Sequence, residues 1–245
     1  MISKNKLSII IPAYNEEKFI GELIEIIEKI NIEPLGFDKE IIVVDDCSKD
    51  KTFEKASNYK TVKCVRHPVN KGKGAAVQTG IKESSGNYIL VQDADLEYDP
   101  ADYIPMLEKL NSELKNNKLV SIYGSRILGQ KKLGRKSGIH PSQGLGPFIM
   151  NNVLTLLAYI LFGKLITDTL TAYKIYPAEI IKGFTVKTKG FETDHELTSK
   201  LIKQNVKITE VPISYNPRTV QEGKKIKAID GLKAIWTFIK FRFSD

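Results

Sequence analysis

The sequence predicts an α/β fold in which a mostly parallel sheet carries helices on its faces. Three observations point there. The first half alternates short β-rich runs with runs whose apolar residues recur at helical spacing. Acidic or polar clusters follow three of those β runs, at Tyr14–Glu16, Asp45-Asp46 and Asp93–Glu97, and in parallel sheets ligands sit at the carboxyl ends of the strands. The chain has 245 residues, 42% hydrophobic and 27% charged, enough for one buried core, with no low-complexity stretch and no internal repeat.

Taken in order, LSIIIP at residues 7–12 reads as a buried strand, and 16–30 as a helix through Phe19, Ile20, Leu23, Ile24, Ile27 and Ile30. EIIVV at 40–44 is the second strand, 50–57 a short helix, 62–66 a third strand and 67–72 a loop. A helix over 74–83 opens beside glycines, and YILVQ at 88–92 is a fourth strand. The second half is less regular. It shows a strand at 119–124, a Gly/Lys-rich loop at 129–138, a helix at 147–162 and a strand at 172–176 with a helix from Pro177. A helix at 191–204, a strand at 207–211 and a last helix at 230–243 complete it. With no linker, residues 1–245 read as one domain: about 1–118 and 119–226 as two functional halves, then 227–245 as a C-terminal amphipathic helix.

Thirty-seven Lys and Arg against 29 Asp and Glu give a formal net charge of +8, which favours an anionic partner or a solvated basic surface. No nucleic-acid motif accompanies the charge, so no nucleic-acid partner is expected. Cys47 and Cys64 have neither zinc spacing nor a disulfide framework and are expected to be reduced, as in the cytoplasm. The N-terminal apolar run is too short for a secretory signal. The apolar stretch 145–161 contains Pro147, Asn151 and Asn152 and falls short of about 20 clean apolar residues, so a buried or interfacial helix is expected there.

Asp93-Ala94-Asp95 ends an apolar strand and precedes Leu96-Glu97. Carboxylates on a tight turn suit Mg2+ or Mn2+, which take oxygen ligands and share them with substrate phosphates. Alone, the triplet is equally a solvated turn, or a helix cap at Asp99-Pro100. Asn70-Lys71-Gly72-Lys73-Gly74 is a basic, glycine-punctuated loop leading into a helix, where backbone N–H groups and ammonium groups suit an anion. It lacks the GxxxxGK[ST] pattern of an ATP-binding loop.

The segments IIIPAYNEE, VVDDCSKDKT, NKGKGAAVQTGI, YILVQDADLEYDP, GSR, TDTLTAYKIY, GFETDHEL and EVPISYNPRTVQEGKKI resemble, in content and order, family 2 glycosyltransferases of the GT-A fold. They cover about residues 7–226. Within the family the likeness is to dolichyl- or polyprenyl-phosphate mannose and glucose synthases. The resemblance implies inverting, metal-dependent transfer of a sugar from a UDP- or GDP-sugar to a polyprenyl phosphate. Pro12, Ala13, Tyr14 and Glu16 would line the nucleotide-sugar site with Lys73, Asp93 and Ala94, and Asp45 or Asp46 would hydrogen-bond the base. Asp93, Asp95 and Glu97 would hold Mg2+ or Mn2+, with Asp95 foremost in catalysis. Glu97 stands where some mannose synthases have glutamine, and EGKK stands where relatives often place a serine before the lysine.

A hydroxyl acceptor needs a carboxylate to take its proton, and Glu192 and Asp194 are the candidates; their alternative role is the acidic first turn of a helix. A phosphate acceptor needs cations instead: Arg126, Arg135, Arg218, Lys224 and Lys225, with Arg218 and Lys224 also expected in catalysis. His195 reads as structural, His67 and His140 have no evident partner, and Asp168 serves either the acceptor cleft or a turn. The last helix is basic and amphipathic, which suits an anionic membrane or packing on the core. The expected location is the cytoplasm, with peripheral contact at the cytoplasmic membrane face. The competing readings are a family 2 transferase with a soluble glycan or polysaccharide hydroxyl acceptor, and a non-catalytic nucleotide-sugar binder.

Overall fold

The computed structural model describes residues 4–117, 119–141, 145–218 and 228–244. Its first half is the alternation the sequence expects: β1 (Asn5–Ala13), α1 (Ile20–Lys29), β2 (Phe37–Asp45), α2 (Thr52–Ser57), β3 (Val62–Arg66), α3 (Lys73–Glu83) and β4 (Tyr88–Val91). Then follow α4 (Tyr103–Leu114), β5 (Val120–Ser125), α5 (Arg126–Lys132), α6 (Leu145–Phe162), β6 (Lys174–Pro177), α7 (Ala178–Ile181), α8 (Thr193–Lys203), β7 (Lys207–Pro212) and α9 (Ala228–Phe243).

All seven strands form one sheet in the order β3-β2-β1-β4-β6-β5-β7. β1 pairs in parallel with β2 and β4, β2 with β3, and β5 with β7. Only β6 runs against its neighbours β4 and β5. The parallel pairs put the ends of β1, β2 and β4 on one edge, so the three polar clusters share one rim.

β1 is an unbroken apolar run because both faces of the sheet are covered. Leu7, Ile9 and Ile11 pack in one core cluster with Leu23, Ile24 and Ile27 of α1 and Met106, Leu107 and Leu110 of α4. Ile10 belongs to the opposite cluster, with Val77 and Ile81 of α3 and Leu197 and Leu201 of α8.

Several boundaries depart from the sequence expectation for local reasons. α1 begins at Ile20 rather than 16, because the Glu16 carbonyl is spent on a turn that accepts from Phe19 and Ile20 N–H. Two helices were not expected. α4 follows a 3-10 turn at Pro100–Asp102 whose cap is Asp99, accepting from Ala101 N–H at 2.9 Å, so the capping role weighed for Asp99-Pro100 is the one seen. α5 occupies part of the expected 129–138 loop because Ser125 caps it, accepting from Leu128 N–H at 3.1 Å.

Gly80 fixes how closely α3 lies on β1: a Cβ there would stand 2.3 Å from Cγ2 of Ile10. Gly80→Ala should therefore cost about 1–3 kcal/mol through overpacking. Urea unfolding checks this, and a midpoint equal to the parent's would mean that the helix shifts freely.

Candidate active site

The rim is assembled by carboxylates that tie loops together. Asp46 N–H donates to the Ala13 carbonyl at 2.8 Å, continuing the β1–β2 pairing. The Asp46 carboxylate accepts from Lys71 N–H at 2.9 Å, from Gly72 N–H at 2.7 Å and from His67 Nδ1 at 2.6 Å. His67 Nε2 lies 2.8 Å from Thr79 Oγ1, so the histidine without an evident partner in the sequence has two. Asp45 is fully buried and accepts from Ser48 N–H at 3.2 Å and from Arg66 Nε at 3.1 Å. The β1 end is held to the same unit by Asn15 N–H on Ser48 Oγ at 2.9 Å and Glu16 N–H on Thr52 Oγ1 at 2.8 Å. Here both aspartates shape the loops that follow β1 and β2.

Those bonds place Lys73, the first residue of α3. Its Nζ lies 2.5 Å from Asp93 Oδ1 and 5.4 Å from the centre of the Phe191 ring. Burial opposes its charge, but Asp93, Asp194 and Asp95 outweigh burial and raise its pKa. Gly72 has φ +92°, and a Cβ there would meet the Lys189 carbonyl oxygen at 2.6 Å. A Cβ on Gly74 would come within 1.9 Å of Thr193 Oγ1. The basic loop is thus packed directly on the approach to α8.

Asp93, Ala94, Asp95 and Glu97 follow β4, with Leu96 at φ 58° making the tight turn. Arg218 lies across this turn. Its Nη2 donates to Asp95 Oδ2 at 2.7 Å, its Nη1 lies 3.5 Å from Glu16 Oε2 and its Nε 3.4 Å from Glu97 Oε1. Glu97 also accepts from Tyr215 OH at 2.8 Å and from Arg218 N–H at 3.1 Å. Burial, with Asp93 and Glu97 close by, raises the Asp95 pKa to about 7 despite Arg218: the cluster holds more negative charge than its cations balance.

That excess charge and the all-oxygen donor set fit a hard divalent cation. Among the described residues, however, no three acids converge as a preformed cage; the carboxylates are turned onto Lys73 and Arg218.

Arg126 donates to Asp168 through Nε at 2.7 Å, Nη2 at 2.7 Å and its backbone N–H at 2.9 Å. The guanidinium stacks 4.9 Å from the centre of the Tyr215 ring. Asp168 is fully buried and its carboxylate is committed to Arg126. Arg135 bonds Gln130 in the loop after α5. Arg218, grouped by sequence with the acceptor cations, lies in the acid cluster, on the segment that follows β7. Lys224 and Lys225 lie outside the described residues.

Glu192 precedes α8 and Asp194 lies in its first turn. Glu192 Oε1 accepts from Gly190 N–H at 3.3 Å, and Oε2 is buried with no hydrogen-bond partner. His195 is buried edge-on against Phe238, 4.9 Å between ring centres, with neither nitrogen bonded. Burial and then Lys174 push its pKa down to about 3, as befits a neutral structural imidazole.

Sequence reasoning passed over Glu196, Tyr215 and Lys174. Glu196 holds the 187–188 loop by accepting from Lys187 N–H at 2.9 Å and Thr188 N–H at 2.8 Å. Lys174 is fully buried inside a strand. Its one signal was a lysine in the middle of an otherwise apolar run.

This geometry can be set beside known proteins. The profile described as "Glycosyl transferase family 2" matches residues 8–174. The chain belongs to glycosyl transferase family 2. A dolichol-phosphate mannosyltransferase of Pyrococcus furiosus is 32% identical over 244 residues, 96% of this chain and 64% of that protein. A dolichyl-phosphate beta-glucosyltransferase of Trichomonas vaginalis is 31% identical over 232 residues, 90% of this chain and 68% of that protein. The chain thus spans about two thirds of the length of these relatives. Glucosyl-3-phosphoglycerate synthase from Mycobacterium tuberculosis, crystallised with Mn2+, UDP-glucose and phosphoglyceric acid, superposes with a TM-score of 0.66 at 18% identity, covering 98% of this chain and 81% of that one. The sheet is therefore that of the GT-A glycosyltransferases, and this family 2 protein is a glycosyltransferase rather than a non-catalytic binder.

The fully buried Asp168 carboxylate is paired with Arg126, whose side chain is itself largely buried. Asp168→Ala would leave a buried guanidinium unpaired, and the expected loss of stability is about 3–5 kcal/mol, read by chemical denaturation. A loss under about 1 kcal/mol, the worth of a solvated surface pair, would mean that Arg126 relaxes to water.

Proposed function

We propose that the enzyme transfers a sugar, with inversion, from a UDP- or GDP-sugar to a polyprenyl phosphate, using Mg2+ or Mn2+. The observation that carries the donor half is the acid turn after β4, which joins the β1 and β2 loops on one rim and holds excess negative charge around Asp95. Asp93, Asp95 and Glu97 are the residues that would hold the metal, and the ion supplies charge neutralisation for the departing nucleoside diphosphate. Pro12, Ala13, Tyr14, Glu16 and Ala94 line the nucleotide side of that rim in this reading. Lys73, already among the acids, is placed to meet the diphosphate.

Support for a lipid acceptor comes from two sources. The relatives above bear dolichyl-phosphate transferase names, and the helix pair α6–α9 exposes an apolar face. α6 has 18 residues of mean hydropathy 1.7, with only 17% buried. It packs on α9 through Leu154, Ala158, Ala234 and Phe238. The opposite sides leave Leu145, Ile149, Leu156 and Ile160 of α6 and Leu232, Trp236 and Phe243 of α9 exposed. Lys233, Lys240 and Arg242 are exposed beside them, which suits an anionic membrane surface. In this reading the enzyme works peripherally at the cytoplasmic membrane face, and Arg126, Arg135, Lys224 and Lys225 hold the acceptor phosphate, already ionised near neutral pH. The hydroxyl-acceptor reading draws on a different observation: neither Glu192 nor Asp194 has a cation paired to it among the described residues, so either is available as a base.

Radiolabelled transfer from a panel of UDP- and GDP-sugars with Mn2+ or Mg2+ to polyprenyl phosphate in detergent tests the proposal. Label should enter the lipid phase and fall on the order of a hundredfold or more in Asp95→Ala, the weight of several kcal/mol of charge stabilisation. Metal-dependent donor hydrolysis with no lipid label would move the acceptor to a hydroxyl. For the apolar face, Trp236→Ala with Phe243→Ala should lower flotation with anionic vesicles several-fold, each side chain contributing apolar burial in the membrane. Equal flotation would leave the face without this role.

A further inference from the structure

Most of the charged groups at the rim have a named partner. Asp93 takes Lys73, Asp168 takes Arg126, the Asp95–Glu97–Glu16 group takes Arg218, Asp45 takes Arg66 and Asp46 takes His67. Among the described residues Glu192 makes no ion pair, and two further groups of opposite sign also stay out of this pairing. One is Lys174, fully buried in β6, whose ammonium makes a single long hydrogen bond to the Thr169 carbonyl at 3.3 Å. The other is Asp194 in the first turn of α8, whose carboxylate makes no ion pair or hydrogen bond among the described residues.

Structure links the two. Lys174 is the strand partner of Tyr123, and its Nζ lies 5.1 Å from the centre of the Tyr123 ring. Tyr123 OH is 2.8 Å from Thr198 Oγ1, and that hydroxyl donates to the Asp194 carbonyl at 2.7 Å. Because the Thr198 proton is spent on Asp194, the tyrosine must donate to Thr198. The first turn of α8 therefore rests on Tyr123, with the lysine over the same ring. Burial lowers the Lys174 pKa, as do Lys73 and Arg126, while Asp194 and Asp168 favour its charge. Asp168 is already committed to Arg126, which leaves Asp194 as the attractive carboxylate without a partner of its own.

A fully buried ammonium with unmet donors costs stability. An ion retained at that cost suits a site where function outweighs folding. We infer that Lys174 is a positioning residue that acts through Tyr123 and Thr198 on the first turn of α8, fixing where the Asp194 side chain stands. The inference rests on the reading that Asp194 engages the acceptor or the donor sugar during transfer.

The test is a double-mutant cycle with Lys174→Met and Asp194→Asn, read in the radiolabel assay and in thermal unfolding. Lys174→Met should lower kcat roughly tenfold, the size of coupling expected between neighbouring groups. The donor KM should hold, and Tm should stay level or rise, because an unpaired buried charge is gone. In the Asp194→Asn background the same change should have no further effect on kcat. An undiminished effect in that background, a Tm that falls together with activity, or unchanged kcat would overturn the proposal. Should Lys174→Met fail to fold, that result overturns it as well if Lys174→Gln, which keeps a polar group, also unfolds. Full turnover in Asp194→Asn alone would remove the underlying reading of Asp194, an outcome visible before the lysine is touched.

Discussion

The Asp46 carboxylate accepts the Lys71 and Gly72 amides and the His67 ring, and the geometry of the strand ends follows from those bonds. They curl the basic loop back over β2 and start α3 at Lys73. The ammonium is thereby set against Asp93 at the end of β4, two strands away in the sheet. The same loop presses on the segment before α8, where glycines at 72 and 74 leave no room for a side chain. One buried carboxylate thus couples the loops at the ends of β1 and β2 to the start of α8, where Glu192 and Asp194 lie. Charge-assisted bonds to backbone N–H groups are among the stronger ones a protein makes, and two of them converge on this side chain beside the His67 ring.

The rest of the cleft is a matter of charge balance. Acids outnumber cations around Asp95, and burial makes the surplus costly, which is why its pKa is raised to about 7. Lys73 and Arg218 offset part of that charge from opposite sides. Such an arrangement is unfavourable for folding and favourable for capturing a cation together with a diphosphate, where the total charge is small. Arg218 illustrates the economy: its guanidinium reaches three carboxylates at once, geometry that a lysine's single ammonium would not reproduce.

The α6–α9 pair lies on a different part of the molecule and obeys a different rule. Each helix buries one stripe against the other and leaves the opposite stripe apolar and exposed. In water that face carries a hydrophobic cost, and Lys233, Lys240 and Arg242 are exposed beside it. In the proposed reaction the two regions divide the work: the rim handles a soluble, anionic donor, and the helix pair brings the enzyme to a lipid surface.

Local pattern was enough for much of the fold. β1 and β2 are apolar runs whose only stable setting is a sheet covered on both faces. The acidic groups after β1, β2 and β4 declared a ligand-binding rim once the strands were taken as parallel. DADLE and NKGKG were likewise legible, because their chemistry is contained in consecutive residues. Tertiary structure decided what depends on chain segments meeting. Arg218 reads as one more cation of the last segments, and only the fold shows it on Asp95, 123 residues away. His67 lacks a partner until Asp46 folds over it. Lys174 is one more lysine until β6 is inserted antiparallel between β4 and β5, where burial turns an ordinary side chain into an unpaired ion. Spacing along the chain fixes which groups can share a strand or a turn. Which charges end up facing one another is set by the packing of elements distant in sequence, and that packing follows from the whole core rather than from any segment of it.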